Sequence, residues 1–398
     1  MTKAKKITHL PTITRWLANK VNKSADKKYY HRCLEEELEF RAAILSELQR
    51  LVHNAHEDAR QRYRNALDIS NSLDPLEEEV TPGIDTSIID NFPRYLELTT
   101  LKGYFGEIMA AVIAENFNPL DEDWYVPAFP FRYHQPAYHV LEKLRQEGGS
   151  APTIIGRFGD DMLAFQRNDQ GQVTHALVCE AKCSAEHDLD LVADAHTKAS
   201  TKNKVPVDCF QLAEMLKEYE GTDPEAAKWR QGIRNLVLKE PISTYERCDL
   251  VNYILGLPPA RATTVVIAQD TPHVNYTGAR RLEAVEIHLY DVDGLIEEAY
   301  QAIGLPSTST FLTEELSNIW SQIISFVPSR QQPLFLTYCS LISFDGQTAL
   351  VGVSSFSVFR EIQRKKEYIR QAFIKSDLIV RDESENGIKI KLRVVSSV

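Results

Sequence analysis

Two side chains of opposite charge close an apolar run in the stretch His175-Ala-Leu-Val-Cys-Glu180-Ala-Lys182. Alternate residues of a strand share a face, so Glu180 and Lys182 project together. Upstream, Gly159-Asp160-Asp161 leads into a second apolar run, Met162 to Phe165. Between the two runs, Arg167-Asn-Asp-Gln-Gly171-Gln172 has the composition of a hairpin loop. Folding that hairpin back brings Asp161 beside Glu180 and sets two carboxylates and one ammonium at a strand end. Adjacent carboxylates repel, which favours a hard divalent cation held through oxygen. A lysine beside them is suited to orienting an attacking water or steadying an oxyanion. The chemistry that fits this set is metal-assisted hydrolysis of a phosphodiester.

Taken alone, E-x-K on an exposed strand face is only a solvated charge pair. Here Glu180 ends an apolar run, where uncompensated charge is expensive. It also follows, in order, a helix bearing Phe105-Gly106-Glu107, the aspartate strand and the turn. That order of elements, more than any single motif, argues for a site.

The same order resembles the PD-(D/E)xK nuclease superfamily over residues 99–300. Carried over by position, the resemblance implies that Asp161 and Glu180 bind the metal and that Lys182 is catalytic. Glu107, within Lys102 to Phe117, matches the glutamate of the preceding helix. The usual proline before the aspartate is absent, and Asp160 and Asp161 are both on offer. Alternation puts them on opposite faces, and Asp161, followed directly by the apolar strand, is the better match. The implied fold is α/β, a restriction-endonuclease-like core in which a mixed sheet is flanked by helices. The implied cofactor is Mg²⁺, with Mn²⁺ able to substitute. The Phe-Gly-Glu helix followed by Gly-Asp-Asp and Glu-Ala-Lys is also similar to the nuclease subunit of Hachiman-type antiphage defence systems, which works with a separate helicase. This implies a cytoplasmic DNA endonuclease controlled by a helicase or ATPase. Two other readings stand beside it: a nuclease acting on RNA, and a non-catalytic replication or defence adaptor that binds nucleic acid on a decayed core. Intact Asp161, Glu180 and Lys182 speak against the second.

With 398 residues, 43% hydrophobic and 25% charged, the composition is that of a globular chain of two or three domains. No apolar run is long enough to span a membrane, and no apolar segment follows the basic N-terminus as a secretory signal requires. Six cysteines without C-x-x-C spacing read as reduced core thiols of a cytosolic protein, not as a zinc site or a disulfide framework. The net charge of −11 argues against a surface built throughout for nucleic acid. Residues 1–32, however, hold Lys3, Lys5, Lys6, Arg15, Lys20, Lys23, Lys27, Lys28 and Arg32 against the single acid Asp26. Such a basic arm, through Lys5 and Lys6 among others, would touch phosphates locally; otherwise it is a solvated tail.

Residues 33–98 read as a helical lead-in, with Leu34, Leu38, Ala42, Leu45, Leu48 and Val52 at helical spacing. Residues 99–303 form the nuclease-like domain. It begins with an apolar helix through Phe105, Ile108, Met109 and Val112, and continues with strands over 263–268 and 282–289 and a closing helix over 293–303. Residues 186–199, rich in Asp and His, read as a substrate-contacting loop or polar helix from which His187 and Lys198 would meet phosphate. Residues 304–312 have linker composition. The order predicted for 313–398 is helix, strand pair (334–344 and 348–353), basic helix around Arg364 to Arg370, and strand. It resembles the C-terminal domain of clamp-loader tau/gamma subunits, which implies a small α/β docking module using Trp320 and the basic helix. No G-x-x-x-x-G-K-[ST] loop occurs, so a motor would have to come from another chain.

Overall fold

The computed structural model describes residues 6–72, 87–147, 156, 159–200, 205–221, 223–238, 245–257, 265–301, 309–344, 348–353, 356–376 and 389–394. Its contacts divide the chain into two units, Met1–Gly304 and Leu305–Val398.

The first unit opens with α1 (Ile13–Trp16), the hairpin β1 (Leu17–Lys23) and β2 (Tyr29–Glu36), then α2 (Arg41–Ser72), α3 (Ser87–Asp90), α4 (Leu98–Phe117) and α5 (Gln135–Glu147). The hairpin β3 (Met162–Arg167) and β4 (Val173–Ser184) follows, with α6 (Leu189–Ala199), α7 (Cys209–Tyr219), α8 (Pro224–Leu238), β5 (Glu246–Leu257), β6 (Leu282–Tyr290) and α9 (Val292–Gln301). All six strands form one sheet in the order β1-β2-β6-β5-β4-β3. The four inner strands run parallel, and the two hairpins each add an antiparallel edge. The core is therefore α/β, with a mixed sheet flanked by helices.

Helix α4 is largely apolar and buried on nearly every side, with Ile108, Met109, Val112 and Ile113 all fully buried. A helix of that kind cannot lie at a surface. It packs on the sheet face that carries Leu177, Cys179, Val285 and Ile287, covered in turn by α2 and α9. It stops at Asn118, whose left-handed φ of 48° ends the helix. The other face receives α7 and α8 over Leu163, Phe165 and Val178, and α6 over Val251, Tyr253 and Ala284.

Among the described residues the expected basic arm is largely folded into the sheet: Leu17–Lys23 and Tyr29–Glu36 are strands. Several N-terminal cations meet acids, most of them far along the chain. Lys23 lies 2.7 Å from Asp121, Arg32 2.6 Å from Glu283 and Lys6 2.6 Å from Asp123, with Lys20 2.9 Å from Glu35 on the adjacent strand. Lys5 lies outside the described residues. The helical lead-in is corrected likewise, because Cys33 and Leu34 belong to β2 and the helix begins at Arg41. Residues 265–268 are not strand; Val266 and Ile267 instead donate their N–H groups to Glu286. The strand at that place in the sheet is β5, which the sequence pattern did not reveal.

In the second unit, α10 (Ser309–Ser325), α11 (Gln332–Tyr338) and α12 (Phe356–Lys375) accompany the sheet β7 (Cys339–Phe344), β8 (Thr348–Val353) and β9 (Lys389–Val394). Strand β8 pairs antiparallel with β7 and parallel with β9. Residues 334–338, expected as strand, are helical, with Pro333 in the first turn, where its missing N–H has no helical partner to lose. Trp320 is not a contact surface: at 5% exposure it packs with Ile323, Phe335 and Phe373 in the core. Among the described residues, no helix is long and apolar enough to cross a membrane.

Candidate functional site

The β3–β4 hairpin sets the geometry. Met162 pairs with Cys179 in antiparallel register, so the next step outward opposes Asp161 to Glu180 on one face. The Asp161 carboxylate accepts the Ala181 N–H at 2.7 Å, which holds it against β4. Asp160 turns elsewhere and accepts the Asp208 N–H at 3.2 Å, with its carboxyl pushed up chiefly by burial. Gly159 makes the entry possible: its φ of 129° is glycine territory, and a Cβ there would collide with the Asp208 carboxylate.

Glu180 and Lys182 face α6. Asp188 caps that helix by accepting the N–H groups of Asp190 and Leu191. The cap orients α6 so that Asp194 and Lys198, one turn apart, reach β4. Lys182 Nζ lies 2.7 Å from Glu180 Oε1 and 3.0 Å from Asp194 Oδ2. Lys198 Nζ completes the group at 3.3 Å from Glu180 and 3.2 Å from Asp194. Burial alone would lower the Lys182 pKa, but the charge and hydrogen bond of Glu180, with Asp194, outweigh it. The ammonium is held above the ordinary lysine range. In this arrangement Lys182 is held as a positive charge between the two acids.

Glu107 enters from the other side, because α4 lies against Ala181 and Cys183 and not against Glu180 and Lys182. It is nevertheless close. Burial first, then the charges of Asp161, Glu180 and Glu107, push the Cys179 thiol well above its ordinary value. The structure thus gathers Asp161, Glu180, Lys182 and Lys198, sets Glu107 behind β4, and engages Lys6 with Asp123 and the Glu115 carbonyl. His187 approaches the Tyr253 hydroxyl at 3.3 Å, beside the N-cap of α6. Sequence reasoning missed Asp194 as a member of the site; its i,i+4 spacing from Lys198 was the available signal. The carboxylates of Asp161 and Glu180 offer oxygen only, the donor type that Mg²⁺ or Mn²⁺ takes.

Behind the site, α6 carries a pH-sensitive group. His196 is fully buried, with Nδ1 2.8 Å from the Val192 carbonyl, and burial holds its pKa down from 6.5 to about 4. The folded protein keeps the ring neutral where the unfolded chain would protonate it, so this contribution to stability is full above pH 6.5 and is lost between 6.5 and 4. The expected loss is about 2–3 kcal/mol. Urea unfolding at pH 7 and pH 4.5 checks it: His196→Gln should narrow the gap between the two pH values, and an unchanged gap would exclude His196 as its source.

Comparison with known protein families finds no match, and no curated protein matches the chain.

Proposed function

We propose that this chain is a divalent-metal-dependent nuclease that hydrolyses phosphodiester bonds at Asp161, Glu180 and Lys182. One observation supports the reading: the Asp161 carboxylate accepts the Ala181 N–H beside Glu180, and the β3–β4 register carried one step past Met162–Cys179 would set it opposite Glu180, whose Oε1 lies 2.7 Å from Lys182. Asp161 and Glu180 would hold Mg²⁺, or Mn²⁺ in its place. When bound, the cation would supply Lewis-acid polarisation of the scissile phosphate and a more acidic water. Lys182, kept charged by Glu180 and Asp194, would steady the negative charge developing on phosphate. Lys198, half exposed at the rim, would meet the approaching backbone. Glu107 would support the site from α4. In this reading the substrate is DNA, cut internally, and the setting is cytoplasmic antiphage defence. Lacking a phosphate-binding motor loop, the chain would be controlled by a separate helicase or ATPase.

A second reading rests on the same ion pairs. Glu180 already has Lys182 and Lys198 beside it, an arrangement that also suits a non-catalytic adaptor whose charges only hold α6 to β4. Incubating the purified protein with plasmid, linear and single-stranded DNA, and with RNA, separates the two. Cleavage that requires Mg²⁺ or Mn²⁺ and stops with EDTA is the expected result. Binding without cleavage of any substrate in either metal, with wild-type and Glu180→Ala proteins alike, would favour the adaptor; RNA as the sole substrate cut would replace DNA in the reading.

A further inference from the structure

The sheet face that carries Glu180 and Lys182 holds a second polar group deeper in. Strand β2 contributes His31 and Cys33, and β6 contributes Glu286 and His288, two i,i+2 pairs on adjacent parallel strands with Cys33 opposite Glu286. Alternation directs all four to one side. His31, Glu286 and His288 are fully buried, and Cys33 is 2% exposed. Cys33 Sγ, a Glu286 oxygen and a ring nitrogen of His288 all lie within 4.8 Å of one another. His31 Nε2 stands 2.6 Å from Glu286 Oε1, and His288 Nε2 stands 2.8 Å from Oε2.

Hydrogen bonding satisfies only part of this cluster. Glu286 is well served, by both imidazoles and by the N–H groups of Val266 and Ile267 at 2.9 and 3.0 Å. The imidazoles are not: Nδ1 of His31 and Nδ1 of His288 have no hydrogen-bond partner among the described residues. The Cys33 thiol has only a long contact, 4.0 Å to Glu35. Buried polar atoms left this way are costly, and a sheet interior could be filled more cheaply with valine or leucine. A bound cation would give the Cys33 thiolate and a ring nitrogen of His288 a common partner together with the Glu286 carboxylate, while His31 stays outside it on Glu286. Nitrogen, sulfur and oxygen together match a borderline ion such as Zn²⁺, whereas Mg²⁺ takes oxygen alone.

We infer that Cys33, Glu286 and His288 form a zinc-type transition-metal site at the centre of the sheet, with His31 orienting Glu286. A donor to a ligating carboxylate fixes its orientation, which is the role the 2.6 Å His31 contact suits. Metal uptake would release the Cys33 proton and bridge β2 to β6, tying the N-terminal hairpin to the parallel strands. The site is separate from the Asp161–Glu180 pair. Lys182 pairs with Tyr253 and Tyr253 with Glu286 in register, so two strand spacings, about 10 Å, lie between.

Cobalt titration of the full-length metal-stripped protein tests the inference. About one equivalent of Co²⁺ is expected to produce a thiolate-to-cobalt charge-transfer band with visible d–d bands. Zn²⁺ should displace it, and about one equivalent of zinc should remain after dialysis. Cys33→Ser should abolish the charge-transfer band while far-ultraviolet circular dichroism stays native, His288→Gln should weaken binding at least tenfold, and Glu180→Gln should leave the band intact. Saturating zinc should also raise the melting temperature of the stripped protein by about 5 °C, as a ligand at a hundredfold its Kd would. The wild-type protein alone can overturn the proposal: no stoichiometric cobalt or zinc, or spectra lacking a thiolate band, means that the cluster is a hydrogen-bonded network only. A band that survives Cys33→Ser or disappears with Glu180→Gln overturns it as well.

Discussion

Asp161→Asn, Glu180→Gln and Lys182→Ala are each expected to lower phosphodiester cleavage by about 10²-fold or more, equivalent to roughly 3 kcal/mol of barrier. The first two remove charge from oxygens that would hold the cation but keep the shape of the side chain. In the Asp161→Asn protein the amide oxygen would still accept the Ala181 N–H, so the hairpin register should survive. Lys182→Ala removes the charge that Glu180 and Asp194 keep in place, while Lys198 continues to compensate both acids. Because the groups would act as one unit, Glu180→Gln combined with Lys182→Ala should be hardly slower than either alone. Glu107→Gln, acting from the far side of β4, should lose less and show it as a higher Mg²⁺ requirement. Circular dichroism and thermal melts alongside the assay keep loss of activity apart from loss of fold. Normal rates in both Glu180→Ala and Lys182→Ala proteins would end the assignment.

How far the site could be read beforehand depends on which interactions are local. The alternation through Ala176 to Lys182 and the largely apolar α4 carry their structure in their own periodicity, so β4 and α4 are visible in the chain. The Gly159–Asp161 turn and the loop at Asn168 to Gln172 announce the hairpin in the same way. Strand β5 does not, because Arg247, Asp249 and Asn252 interrupt its apolar run. Those groups are tolerated only because Arg280 and Tyr276 reach Asp249 and the Gly106 carbonyl accepts from Asn252. The first two strands were hidden for a related reason. A run of lysines and arginines looks solvated until its acids, some 90 to 250 residues away, are placed beside it. The His31–Cys33 and Glu286–His288 pairs were invisible because neither means anything until β2 and β6 are neighbours.

That reassignment of the N-terminal cations has a measurable consequence at Arg32. Arg32→Ala is expected to destabilise the first unit by about 3–5 kcal/mol, the usual cost of leaving one member of a buried ion pair without the other. Glu283 is fully buried; its Oε1 accepts from Arg32 Nε at 2.6 Å and its Oε2 from the Leu120 N–H at 2.5 Å. Burial pushes its carboxyl up, and Arg32 is the main charge pulling it back. Without Arg32 the folded-state pKa should climb further above the unfolded value. A carboxyl raised in this way loses its contribution as pH rises through the folded-state value, so the Arg32→Ala protein should be relatively more stable in acid than at neutrality, compared with wild type. Adding Glu283→Gln should recover part of the loss, since a neutral amide needs no counter-charge. A phosphate-binding arginine would behave otherwise. Its loss would leave the melting temperature unchanged while weakening nucleic-acid affinity and flattening its salt dependence. Thermal melts of the single and double variants at pH 5 and pH 7.5, set beside binding at two salt concentrations, decide between a cation that holds the sheet together and one that reaches for a backbone.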